Sequence, residues 1–155
     1  MLNRGAALRD MLASIGVIGS LIFVGLEVRQ NTKAVQATAI QDFTDAFREQ
    51  AGLYISDPEL TSIIVRANQD MSSLTAEESQ RFFGLYISSV ITLQGSFRQW
   101  QLGVLPDEEW EVVQVAACSD MELPAFQTLW SQVRGGLAPS FVEALERRCG
   151  AAPPN

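Results

Sequence analysis

From Met11 to Leu26 the chain runs MLASIGVIGSLIFVGL, sixteen residues without a charge. It turns polar at Glu27 and Arg29, with no proline or glycine cluster to stop a helix there. Sixteen falls just under the ~17–25 apolar residues of a spanning helix. Val28 and the snorkelling of Glu27 and Arg29 make up the difference. Gly16, Gly19 and Gly25 would each cost about 1 kcal/mol in a water-exposed helix, yet glycine is frequent in membrane helices. Ala13, Gly16 and Ser20 share one face, the small-residue pattern that lets such helices approach closely. A cleaved secretory leader fits less well, because the nearest small-x-small site, Ala37 to Ala39, lies far downstream and Asp10 interrupts the basic start. A buried core helix is the third reading. The segment is expected to span: a single-pass membrane protein whose first partner is the lipid bilayer, with Arg9, Arg29 and Lys33 at the headgroups.

Past Asn31, Ile40, Phe43, Phe47 and Tyr54 recur at spacings of three, four and seven, one face of a helix. One long helix is therefore expected from about Asp10 to about Ile55, apolar all round at first and amphipathic later. Asp57 and Pro58 in SDPEL stop it and start a short second helix with Leu60, Ile63, Ile64 and Ala67 inward. Thr75 and Glu78 form a capping box for a third. Along that helix Phe82, Tyr86, Val90, Leu93, Phe97, Trp100 and Val104 make a bulky row, while Gly84, Ser88, Thr92, Gly95 and Gln99 make a small polar one. Two such rows suit a central helix with neighbours on both sides. Residues 82–97 carry no charge, so a second span is the alternative there. Gly103 and Pro106 end the helix, and PDEEW opens a fourth with Trp110, Val113 and Ala117 inward. A fifth carries Phe126, Leu129, Trp130 and Val133 up to Gly135 and Gly136. Ser140 and Glu143 suggest a second capping box before a last helix with Phe141, Leu145 and Cys149. No segment alternates as a strand would. The expected fold is all-α: an N-terminal transmembrane helix continuing into a long amphipathic helix, packed with a bundle of four to five further helices. Residues 1–28 form tail and span, 29–150 the helical bundle, and 151–155 a disordered tail.

SLIFVGLEVRQNTKA at Ser20 to Ala34, the DPEL turn and LPDEEW together resemble a widespread family of uncharacterised bacterial membrane proteins. The resemblance covers most of the chain, with the VRQNTKA-like exit its distinctive part. It implies a bacterial inner-membrane location with an N-terminal span and a helical domain, and it carries no assigned activity or catalytic residue. Members have few basic residues before the span and several after it, which by the positive-inside rule implies a cytoplasmic helical domain. This chain departs from that pattern, since Arg4 and Arg9 balance Arg29 and Lys33.

Several chemistries are excluded by composition. The chain has no histidine, which removes Ser-His-Asp and Cys-His catalysis and histidine-ligated zinc or haem. Net charge is −7 and the only basic pairs are Arg29 with Lys33, one helical turn apart, and Arg147 with Arg148, so no nucleic-acid partner is expected. Cys118 and Cys149 lack zinc spacing and read as two small core residues, with one bridge in an oxidising compartment as the alternative. Asp107, Glu108, Glu109 and Glu111 suit the first turn of a helix better than a divalent cation. Asp42, Asp45 and Glu49 suit a solvated face. No metal and no cofactor are expected. Arg98, Gln99 and Trp100 are the candidate ligand pocket, able to line an interhelical site or to hold helix ends. The expected function is a non-enzymatic membrane protein whose helical domain binds a protein partner or its own copies. The alternative is a membrane-attached enzyme or small-ligand-binding bundle, using carboxylates or Arg and Gln in a pocket beside the third helix.

Overall fold

The computed structural model describes residues 4–150; the expected tail at 151–155 and the side chains of Arg4 and Asp10 lie outside the described residues. Among the described residues six α-helices follow one another: α1 (Arg4–Ser56), α2 (Pro58–Gln69), α3 (Ala76–Gln101), α4 (Asp107–Met121), α5 (Pro124–Val133) and α6 (Pro139–Cys149). No strand occurs among the described residues. The all-α expectation holds, with five helices besides the long first one. The chain divides into two compact units, residues 1–38 and 39–155, and α1 contributes to both.

In the first unit every large apolar side chain from Met11 to Val28 stays between 52% and 67% exposed. The buried-core reading of this segment is therefore wrong. Among the described residues α1 is the one helix long and apolar enough to cross a membrane, with mean hydropathy 2.1 in its best window. A Cβ at Gly16, Gly19 or Gly25 would meet nothing within 4 Å, so no contact inside the chain demands glycine there.

The second unit has a conventional core. Phe97, Phe141, Ile63, Leu105, Leu145 and Val90 are its largest fully buried side chains, each worth about 1.5–3 kcal/mol in burial. The helix α3 lies at the centre, packed on α2, α4 and α5, while α4 also packs on α5 and α6. In its bulky row Phe82, Tyr86, Val90 and Phe97 are at most 5% exposed, and Leu93, Trp100 and Val104 are half-buried. That row faces protein, which removes the second-span alternative for residues 82–97.

Local signals hold these elements in place. The Asp57 carboxylate accepts from the Leu60 N–H at 3.0 Å and caps α2, and Arg81 ties the same end down through Asp57 and Glu59. Thr75 and Glu78 form the capping box of α3. Gly103, at φ +69°, turns the chain out of α3 in the left-handed conformation glycine tolerates best. The second capping box does not form: α6 starts with Pro139 behind Ala138 and has no side-chain cap. Proline at the first turn already presets the helix, and the Ala138 N–H, which a capping acid would have taken, donates to Gln94 Oε1 at 2.8 Å. The cysteine expectation is also corrected. Cys118 and Cys149 form a disulfide, because the packing of α4 on α6 brings their Cα atoms to 5.0 Å, within the ordinary bridging range.

The capping box gives the bundle an acid-sensitive joint. Glu78 accepts from Arg66 and from the Thr75 N–H, and these lower its carboxyl from 4.5 to about 2, Arg66 contributing most. A lowered carboxyl stabilises the fold above its unfolded value and loses that contribution as pH falls through the folded one. Glu78→Gln should therefore lower the melting temperature at pH 7. The gap from the native chain should close between pH 4.5 and about 2, as followed by circular dichroism.

Candidate functional site

The closely packed helix pairs do not include α1. Where its 39–56 part faces α3 and α4 a cleft of about 280 Å³ remains, near the lower end of ligand-site sizes. Phe43, Phe47, Gln50, Ala51 and Tyr54 line it from α1, one face at helical spacing. From α3 come Ser89, Val90, Thr92 and Leu93, and from α4 Val113, Ala116, Ala117, Asp120 and Met121. Phe126, Trp130 and Leu145 complete the lining. The space exists because alanine stands at 51, 116 and 117, where a larger residue would close the walls to the density of an ordinary interior. Phe47 remains 58% exposed and Tyr54 38%, so the face that the sequence marks as inward is a cleft wall open to solvent.

Polar side chains are the minority of the lining: Gln50, Tyr54, Ser89, Thr92 and Asp120. Gln50 Nε2 donates to Ser89 Oγ, joining α1 to α3. Ser89 Oγ in turn donates to the Leu85 carbonyl at 3.0 Å, so the hydroxyl is engaged by backbone and amide rather than by a base. Asp120 is the only charged residue in the lining. Partial loss of hydration raises its carboxyl above the ordinary value of 3.8. Burial, and then the Asp120 charge, raise the Tyr54 phenol above 10.0. This is a largely apolar recess with one carboxylate, suited to holding a molecule.

The residues expected to make a pocket lie elsewhere. Arg98 is exposed and donates to Gln101 at 3.4 Å. The Gln99 carbonyl accepts from the Val104 and Leu105 N–H groups as α3 ends, and its side-chain Oε1 is buried without a partner among the described residues. Trp100 stacks on Trp110 at 5.6 Å, and its Nε1 donates to Asp107 at 2.8 Å. None of the three lines the cleft. Arg9, Arg29 and Lys33 are exposed on α1, the last two one helical turn apart. Asp107 and Glu111, from the acidic run, serve Trp100 and Arg148 respectively. The structure brings Gln50, Ser89 and Asp120 together instead. Gln50 keeps the register of Phe47 and Tyr54, and Asp120 follows Val113 and Ala117 at helical spacing. Polar residues on an apolar stripe were the available signal.

In comparisons with known proteins, no family model, no curated protein and no solved structure matches the chain. Fold and cleft define a class, a helical bundle with an open apolar interhelical recess, carried on a chain with one helix apolar enough to span. The resemblance drawn from the exit motif stands as an expectation.

A raised carboxyl works against the fold when ionised, fully so above its folded pKa and not at all well below 3.8. Asp120→Asn should therefore raise the melting temperature slightly at pH 7, with the advantage vanishing as pH falls below 3.8. Thermal unfolding across pH checks the sign.

Proposed function

We propose that this chain is a non-enzymatic, single-pass bacterial inner-membrane protein whose helical domain binds a small apolar molecule. The cleft carries this reading. An unfilled recess of about 280 Å³ in a bundle of this size forgoes packing contacts, and a guest restores them. Its wall residues include Trp130, which gives the test an internal reporter. The uncharged probe N-phenyl-1-naphthylamine, added to the full chain in nanodiscs, should quench tryptophan emission by energy transfer. Ala51→Phe, which fills the recess, should abolish the effect while leaving the helical spectrum intact. Equal transfer in both chains would refute a ligand role for the cleft.

The Cys118–Cys149 bridge supports placing the helical domain on the oxidising side of the membrane, since such bonds are rare in the cytoplasm. This reverses the side implied by the resemblance, and the balance of Arg4 and Arg9 against Arg29 and Lys33 does not oppose it. In cells trapped with acid and then treated with a thiol-reactive polymer, the chain should shift on a gel only after reduction. A shift without reduction would return the domain to the cytoplasm.

A second reading, association with a protein partner or another copy, draws support from Val112 and Val115, one turn apart on α4 and 61% and 55% exposed. Sedimentation of the detergent-solubilised chain tests it: Val115→Glu should shift the species towards monomer.

A further inference from the structure

Beside the cleft lies a smaller hollow of about 60 Å³, which shares Tyr54, Ser89, Asp120 and Phe126 with it. Tyr86 and Asn68 line this hollow, and each carries a buried polar atom, Oη and Oδ1, with no partner among the described residues. Tyr86 is 2% exposed, so bulk water does not serve its hydroxyl. The Asn68 amide nitrogen already donates to the Ile64 carbonyl at 3.1 Å, which leaves the oxygen as the unpaired end of the amide. Buried polar groups are otherwise almost always paired. Two beside one recess, next to a carboxylate, mark a place prepared for a polar group from outside the chain.

The chemistry of that group follows from what surrounds it. Asn68 Oδ1 and the Asp120 carboxylate accept hydrogen bonds, and the Tyr86 hydroxyl can accept as well as donate. The Tyr86 and Phe126 rings stand edge to face at 4.4 Å and belong to the same wall. Aromatic faces attract cations. No lysine or arginine lines either space, so an anionic head would meet Asp120 uncompensated. A head with several N–H donors and a positive charge suits Asn68, Asp120 and the aromatic rings together; a carboxylate or phosphate accepts only from the Tyr86 hydroxyl and is repelled by Asp120.

We propose that the site binds an amphipathic ammonium compound, with its apolar body in the cleft and its charged nitrogen in the hollow among Asp120, Asn68 and Tyr86. This rests on reading the cleft as a ligand site and names the class of ligand. The spaces are small, about 280 and 60 Å³, which suits a single ring or a short chain and excludes a two-tailed lipid.

Three probes of one shape and different head separate the possibilities: 4-phenylbutylammonium, 4-phenylbutanol and 4-phenylbutanoate. Each is titrated calorimetrically into the full chain in zwitterionic nanodiscs, with empty nanodiscs subtracted to remove partitioning into lipid. The ammonium compound should bind at least tenfold tighter than the alcohol, and the carboxylate should show no saturable binding. Asp120→Asn should bring the ammonium compound to the alcohol's affinity and leave the alcohol unchanged. Tyr86→Phe should weaken the ammonium compound alone. If the alcohol or the carboxylate binds as well as the amine, the ammonium assignment falls while the cleft remains a ligand site. If none of the three binds above empty nanodiscs, the ligand-binding reading itself falls.

Discussion

Phe97 touches Trp100, Trp110 and Phe141 at centroid separations of 5.5 to 5.7 Å, and Phe141 meets Trp130 at 6.3 Å. One seam of rings thus registers α3, α4, α5 and α6 on each other. Large side chains at a contact hold helix axes towards the wide end of the ~8–10 Å range. Further along α4, Ala116 and Ala117 line the recess together with Ala51 of α1. The seam fixes the bundle side of that recess, and the short alanine side chains leave it unfilled.

Much of this was legible in the amino-acid order. Spacing marked the bulky row of α3, and the residues that cap α2 and α3 stood at the offsets those caps require. The uncharged run from Met11 announced a helix that its own chain does not bury. What stayed hidden is non-local. Periodicity finds the side of α1 that bears Phe43, Phe47 and Tyr54, but it cannot say whether the opposing wall arrives in contact or a few ångströms short. Arg98 and Gln99 drew attention because polar residues near a tryptophan look purposeful. Their end of α3 is closed by backbone hydrogen bonds from Val104 and Leu105, and the open space lies two turns earlier. The disulfide was illegible for the same reason, since 31 residues separate its partners and only the packing of α6 on α4 joins them. Ser140 and Glu143 mimicked a cap whose duty Pro139 and Gln94 perform.

The two units differ in how they treat their apolar side chains, exposed in the first and mostly buried in the second. Only 19% of residues are charged, low beside the ~25% of soluble domains, and the run from Met11 to Leu26 and residues 82–97 each contribute an uncharged stretch. The second unit keeps its aromatic core, ion pairs and caps as a water-soluble bundle does. Several of its departures from that norm meet in one region: alanines where bulk is expected, an acid on an apolar stripe, and a tyrosine hydroxyl and an asparagine oxygen buried without partners; Gln99 Oε1 is a further unpaired buried atom outside it. Natural sequences break packing and pairing rules chiefly where function requires it.

The Cys118–Cys149 bond makes the two sides of the recess mechanically unequal. Asp120, Met121, Phe126, Trp130 and Leu145 all belong to the covalent ring it closes. The opposite side is held to the bundle by the Gln50–Ser89 hydrogen bond, by a bond from Thr61 Oγ1 to the Tyr54 carbonyl, and by the packing of Ile40 and Phe43. A guest larger than the resting volume therefore meets a stiff jaw and a compliant one. The yielding jaw is the same helix that upstream carries the greasy run, so occupancy would be felt first as a sideways load on α1.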